Sequence, residues 1–248
     1  MSLLTKAYGL ACYGFSMAML VAFILYANND LGLIGYQAFD IDAPGRVAGG
    51  APLLVNIGLL LLFGVQHSVM ARPGFKQKLT RVLPPNCERS TYLLATGLVL
   101  AAIVLYWQPL GGYLWSVENA PGRYGLTALY YLGWLITFAA TFMINHFHLF
   151  GLQQSFRAGD PDAGTKEFKT PFFYRLVRHP IQSGVVIAMV ASADMSWTRF
   201  VLAVGMLTYV AVGLYFEERD LVAEFGDTYR DYKRRVPSVL PALFKPKS

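Results

Sequence analysis

Four stretches of the chain run without a single Asp, Glu, Lys or Arg: residues 7–29, 47–71, 90–117 and 124–156. A hydrocarbon core of about 30 Å takes roughly 20 helical residues to cross, so each stretch is long enough to span a bilayer. The pattern predicts long helices at 4–28, 50–71, 88–108 and 123–150. Chain breakers punctuate them: Asn28-Asn29-Asp30, Pro73-Gly74, Pro84-Pro85, and Pro109 with Gly111-Gly112. Residues 30–49, with Asp30, Asp40, Asp42 and Pro44, read as a connecting loop, and 153–172 as a second one. Two shorter uncharged runs follow at 180–193 and 200–216, separated by Asp194 to Arg199. At 1.5 Å per residue the first covers only about 21 Å, so the two predict a tight helical hairpin. From Glu217 to Val236 the apolar residues Leu221, Val222, Phe225, Tyr229, Tyr232 and Val236 keep one face of a helix. That segment predicts an amphipathic helix lying on the protein or in the membrane interface, ended by Pro237.

Composition supports the same picture. Hydrophobic residues make up 55% of the 248 and charged residues 15%, against about 45–50% and about 25% in soluble domains. Mean hydropathy is +0.41. A soluble globule and a disordered chain are both excluded. Cys12 and Cys87 form neither a disulfide framework nor a metal spacing. The expected fold is an all-α integral membrane protein with four long transmembrane helices, a C-terminal helical hairpin and a cytoplasmic amphipathic helix. It reads as one membrane domain over 1–248, with a four-helix part at 1–150 and a loop, hairpin and amphipathic helix at 151–248. The first apolar run reads as a retained helix rather than a cleaved signal, since it is too long and lacks a small-residue cleavage site.

The net charge is +6 and the pI about 9.3. The charges lie between apolar runs, which points to a membrane and not to nucleic acid. With the N-terminus inside, the inner segments hold 18 Lys and Arg, including Lys166, Lys245 and Lys247, and the outer ones only Arg46, Arg123 and Arg199. The positive-inside rule then places both termini in the cytoplasm.

Ionisable groups near the apolar core mark function more often than chance would. His67 suits an interhelical hydrogen bond or a cavity wall. Asn145, His146 and His148 end the fourth helix, and Gln153 and Gln154 follow. His146 and His148 stand about 200° apart on a regular helix, so they do not face one metal, and no metal site is expected. His146 is open to a role in a site or in packing; His148 reads as packing. Pro180 suits the first turn of a helix, whose free N–H groups favour an anion. Arg178 adds a fork for that anion or anchors the helix to lipid headgroups. Glu217 and Glu218 close the hairpin where the helix dipole opposes acids. They need a cation, an amine, ribose hydroxyls or a salt bridge to Arg178, Arg175 or Arg219. These residues together suit a ligand that carries a carboxylate and hydroxyl or amino groups.

The segment RHPIQSG at 178–184, followed by FEERDLVAEFGDTYRDYKRRVP at 216–237, resembles the isoprenylcysteine carboxyl methyltransferase group. That group carries Arg-His-Pro-x-Tyr-x-Gly, then Glu-Glu, Phe-Gly, two Tyr and Val-Pro. Gln182 stands where the group often has Tyr. LLFGVQHSVMARPGFK at 61–76, PPNCERSTYLL at 84–94 and NHFHLFGLQQ at 145–154 resemble the narrower methanethiol S-methyltransferases and NnrU-like proteins. The resemblance implies S-adenosylmethionine as methyl donor, with Arg178, His179, Pro180, Gln182, Gly184, Glu217 and Glu218 at cofactor positions. Tyr229, with Phe225 and Tyr232, would cover the adenosine. It implies attack of a methanethiol thiolate in an apolar membrane pocket, giving dimethyl sulfide and S-adenosylhomocysteine. His146 is the first candidate base, with Asn145 and Gln154 orienting it or the cofactor, and Trp134, Phe147 and Phe150 as lining. The expected partners are a small thiol and membrane lipids, with no nucleic acid and no obligate protein partner, in the bacterial inner membrane. The same resemblance also admits a prenylated or lipid acceptor, or a non-enzymatic accessory role of the NnrU-like kind.

Overall fold

The computed structural model describes residues 2–43, 50–157 and 168–241. Pro44, Arg46, Lys166, Lys245 and Lys247 lie outside the described residues. In chain order the elements are α1 (Leu3–Ala27), α2 (Pro52–Ala71), α3 (Pro73–Leu79), α4 (Glu88–Tyr106), β1 (Tyr113–Ser116), α5 (Ala120–Ile144), α6 (His146–Leu149), α7 (Leu152–Phe156), α8 (Pro180–Val190), β2 (Asp194–Ser196), α9 (Trp197–Phe225) and α10 (Asp227–Arg235). Among the described residues five helices are long and apolar enough to cross a membrane: α1, α2, α4 with the turn before it, α5 and α9. The chain is a multi-pass, all-α membrane protein.

Three features differ from the periodicity. The predicted helix 123–150 stops at Ile144, where Asn145 is extended (φ 178, ψ 89), and Gly151 turns left-handed (φ 79) before α7. An unbroken apolar run reports lipid compatibility, not backbone continuity, so it hides such breaks. The helix expected to start at Glu217 is instead the continuation of α9, which runs to Phe225. Gly226 then takes φ 55, ψ −129, a region open to glycine alone, and α10 begins. The apolar spacing carries across that break and masked it. The third difference is a short antiparallel pair, β1 with β2, in which Trp115 faces Met195 and Ser116 faces Asp194.

The described residues form two compact units. The first holds α1 to α4, β1, α7, β2 and the start of α9. Helices in lipid gain no hydrophobic driving force from meeting, so small residues and interhelical hydrogen bonds hold them. Gly97 of α4 lies against Ser16 of α1, whose Oγ donates to the Leu93 carbonyl at 2.9 Å. His67 of α2 reaches Thr96 of α4 through Nδ1 at 3.3 Å. Asn56 is wholly buried and exchanges two 2.8 Å bonds with the Gln108 backbone.

The second unit holds α5, α8, α9 from Leu207 onward and α10. Gly133 and Gly184 let α5 and α8 touch backbone to backbone. A Cβ on Gly184 would overlap the Gly133 carbonyl and Thr137, and one on Gly133 would lie 2.8 Å from the Ala188 nitrogen. Thr137 Oγ1 donates to the Ile181 carbonyl at 3.0 Å. Gly133 meets Ala188 while Thr137 meets Ile181, so the helices run antiparallel. The end of α5 and the start of α8 therefore lie at one end of this unit.

Gly184→Val is expected to destabilise the protein by about 1–3 kcal/mol, the cost of overpacking a close contact. Thermal unfolding in detergent checks this; an unchanged transition would mean that the two helices do not pack this closely.

Candidate functional site

Arg178, the second residue before α8, organises the end of the second unit. Its Nε and Nη2 donate to Glu218 Oε1 at 2.8 and 2.5 Å. Its Nη1 donates to the carbonyls of Lys233 (3.1 Å) and Val236. His179 Nε2 lies 3.1 Å from the same Glu218 oxygen, and Lys233 Nζ lies 2.6 Å from the other. The Arg178 and Glu218 side chains are 8% and 12% exposed. Arg178 is thus engaged by Glu218 and the C-terminal segment: the salt bridge, one of the readings open for Glu218, is formed. The C-terminal segment lies along the entry to α8. Arg178 N donates to the Pro237 carbonyl (2.8 Å), His179 N to that of Ser238 (3.0 Å) and Ser183 Oγ to that of Val239 (2.5 Å).

Glu217 differs from its neighbour. Its side chain is 46% exposed, with His179 Nδ1 at 3.8 Å and Gln182 Nε2 at 3.3 Å. It is the more exposed acid of the pair. Pro180 is buried at the first helical position of α8, and Gly184 is taken up by the contact with α5. Tyr229 is buried, packed edge-on against Phe168 and Tyr232, with its hydroxyl beside the Arg178 guanidinium. Burial pushes both Tyr229 and Tyr232 up to about 12, so they stay protonated. Tyr232 donates to the Tyr174 carbonyl, which locks α10 down. Lys233, which bonds Glu218, carried no signal in the sequence: it sits on another helix inside a basic run that reads as surface charge.

His146, just past the end of α5, is 3% exposed. Its ring stacks parallel on Phe142, with centroids 4.0 Å apart, and Nδ1 meets Thr141 Oγ1 at 2.8 Å. Burial lowers its pKa from the usual 6.5. Asn145 caps α5 through its backbone N–H to the Thr141 carbonyl. Trp134 is buried in α5, edge-on to Tyr130. Gln154 belongs to the first unit. There its Nε2 donates to the His148 carbonyl at 2.9 Å, and Phe147 and Phe150 pack on Tyr13. The structure therefore gathers Arg178, His179, Gln182, Glu217, Glu218 and Tyr229 in one cluster and holds His146 in the same unit. Among the described residues no group of His, Cys, Asp and Glu is arranged to hold a metal ion.

This architecture defines a multi-pass helical membrane protein in which Arg178, His179, Glu217, Glu218 and Lys233 are joined in one cluster at the mouth of a short helix. No family model matches the chain, and no solved structure matches it. Curated relatives do. The chain is 42% identical over 235 residues to methanethiol S-methyltransferase 2 of Bradyrhizobium diazoefficiens, covering 92% of this chain and 88% of that one. It is 44% identical over 241 residues to the methanethiol S-methyltransferase of Mycobacterium tuberculosis, covering 96% of each. Nurim of Xenopus laevis is more distant, 30% identical over 168 residues, 64% of this chain and 58% of that one. The chain belongs to the methanethiol S-methyltransferase family, the narrower of the two groups its motifs resemble.

Glu218→Ala is expected to destabilise by about 3–5 kcal/mol, because Arg178 is left buried without its counter-charge. Lys233→Ala, which removes an exposed partner, should cost under about 1 kcal/mol. Thermal unfolding of both variants in detergent separates the two; equal losses would place the ion pair in solvent.

Proposed function

We propose that the chain methylates methanethiol with S-adenosylmethionine as donor, giving dimethyl sulfide and S-adenosylhomocysteine. The observation that carries this reading is family membership: relatives above 40% identity over nine-tenths of the chain bear that activity in their names. The donor set fits the cofactor. Its ammonium, sulfonium and ribose hydroxyls all seek anionic or acceptor oxygen, and the half-exposed Glu217 carboxylate supplies it, with Gln182 beside it. The first turn of α8 offers backbone N–H groups to the cofactor carboxylate. When bound, the cofactor supplies an electrophilic methyl group.

The remaining work belongs to this chain's own residues. Arg178 and Glu218 hold α8, α9 and α10 in register, so that Glu217, Gln182 and His179 keep one geometry. Fixed geometry is the main resource here, since orientation alone is worth about 7–11 kcal/mol for aligned reactants. A model thiol ionises near about pH 8.5, so at neutral pH a base is useful. His146 takes the thiol proton, with Asn145 setting the backbone that presents it. The low pKa that burial gives His146 keeps the ring neutral, and so able to accept a proton, at pH 7. In the same reading both termini face the cytoplasm, and the membrane is the bacterial inner membrane; reporter fusions at each terminus test the topology.

Membranes carrying the chain, supplied with methanethiol and S-adenosylmethionine, should release dimethyl sulfide into the headspace. Glu217→Ala should abolish product while leaving thermal unfolding unchanged, since its side chain is half-exposed. Product that needs no S-adenosylmethionine, or that survives Glu217→Ala, would sink the cofactor assignment; cofactor binding without product would point to a lipid or prenyl acceptor.

The pH profile follows from the sign of the shift. His146 is neutral above its lowered pKa, so the acid limb of kcat/KM should be centred below pH 6.5. An acid limb centred above pH 6.5 would remove His146 as the base.

A further inference from the structure

Thr141 lies on α5 one turn before His146, and its hydroxyl has two neighbours. It is 2.7 Å from the Phe138 carbonyl and 2.8 Å from His146 Nδ1. A carbonyl oxygen only accepts, so the single Thr141 proton goes to Phe138. Any other assignment would press two lone pairs together at 2.7 Å. Back-bonding of a Thr hydroxyl to its own helix three residues earlier is a familiar arrangement. With its proton committed, Thr141 Oγ1 meets His146 as an acceptor. Nδ1 must then carry the imidazole proton. A neutral imidazole holds one N–H and one lone pair, so the lone pair falls on Nε2.

We propose that Thr141 is a positioning residue that fixes His146 as the Nδ1–H tautomer and makes Nε2 the basic atom. The inference rests on the reading of His146 as the base that accepts the thiol proton. In that step the S–H bond breaks, its electron pair stays on sulfur as thiolate, and the proton forms a new N–H bond at Nε2. The imidazolium then has two N–H groups, one still donating to Thr141, and later returns the Nε2 proton to water. The parallel stack of Phe142 on the ring, 4.0 Å between centroids, sets the ring plane. Thr141 sets which edge of that plane is basic. A second-sphere partner that fixes the tautomer and orientation of a histidine is a recurrent device.

The test uses full-length protein labelled with 15N-histidine in detergent, with the His146 signals assigned by their loss in His146→Ala. The wild type should show protonated Nδ1 and unprotonated Nε2 near pH 8. Thr141→Val should mix the two tautomers and lower kcat by about tenfold, short of the roughly 10²–10⁴-fold that an acid–base group itself contributes, with KM changed by less than about twofold. Thr141→Ser keeps the hydroxyl and should restore both tautomer and rate. A wild type with its proton on Nε2 would overturn the proposal without any variant. So would a Thr141→Val protein of wild-type kcat, or one that Ser does not rescue. His146→Ala separates the two layers. Full activity in that variant defeats the base reading itself; an inactive variant beside an Nε2–H wild type defeats only the role of Thr141.

Discussion

The Arg178–Glu218 pair is the contact on which the second unit turns. Two charges lie almost out of solvent, and neither is tolerable there alone. Desolvation consumes most of what their attraction returns, so such a pair adds little net stability and serves chiefly to specify one arrangement. Here it specifies a great deal. Arg178 is at the entry to α8, Glu218 is within α9, and the remaining guanidinium donors go to carbonyls at the end of α10. Three helices converge on one fork of N–H groups. Lysine could not do this, because a single ammonium lacks the planar set of donors.

A second constraint, the close approach of α5 and α8, delivers His146 to the same end. Two glycines and a threonine replace the large side chains that would hold these helices apart. Thr137 and Thr141 then use their hydroxyls in related ways, each bonding a carbonyl of its own helix and something beyond it. The first ties α5 to α8; the second ties α5 to the residue just past its end. These two polar side chains are thus each shared between partners.

The long helices were legible because lipid imposes a simple rule on charge, and 20 uncharged residues leave little choice. The ion cluster was legible as a set of residues, through Arg178, His179, Glu217 and Glu218, but not as a geometry. Arg178 was open to an external anion, and an adjacent acid takes that place. The local sequence does not say which of two anions an arginine will meet; distance in the fold does. The breaks at Asn145 and Gly226 were hidden for a different reason. Both fall inside patterns of hydropathy that continue undisturbed across them, and only backbone dihedrals distinguish a bent path from a straight one. Lys233 and Thr141 were invisible because each acts through a neighbour that is remote or that looks, in sequence, like ordinary helix surface.

The backbone bonds from Arg178, His179 and Ser183 to residues 237–239 also set an order of events during synthesis. A ribosome adding about 5–20 residues per second needs roughly 3–12 s to pass from residue 178 to residue 239. For the first two-thirds of that interval Glu218 has not been made, and the Val236 and Pro237 carbonyls follow only near its end. The guanidinium must stay hydrated until Glu218 is made, so α8 settles into its final depth only after that. The first unit draws almost all its helices from earlier in the chain and has no such wait. The cluster thus closes after the first unit, once α10 and residues 237–239 have been made.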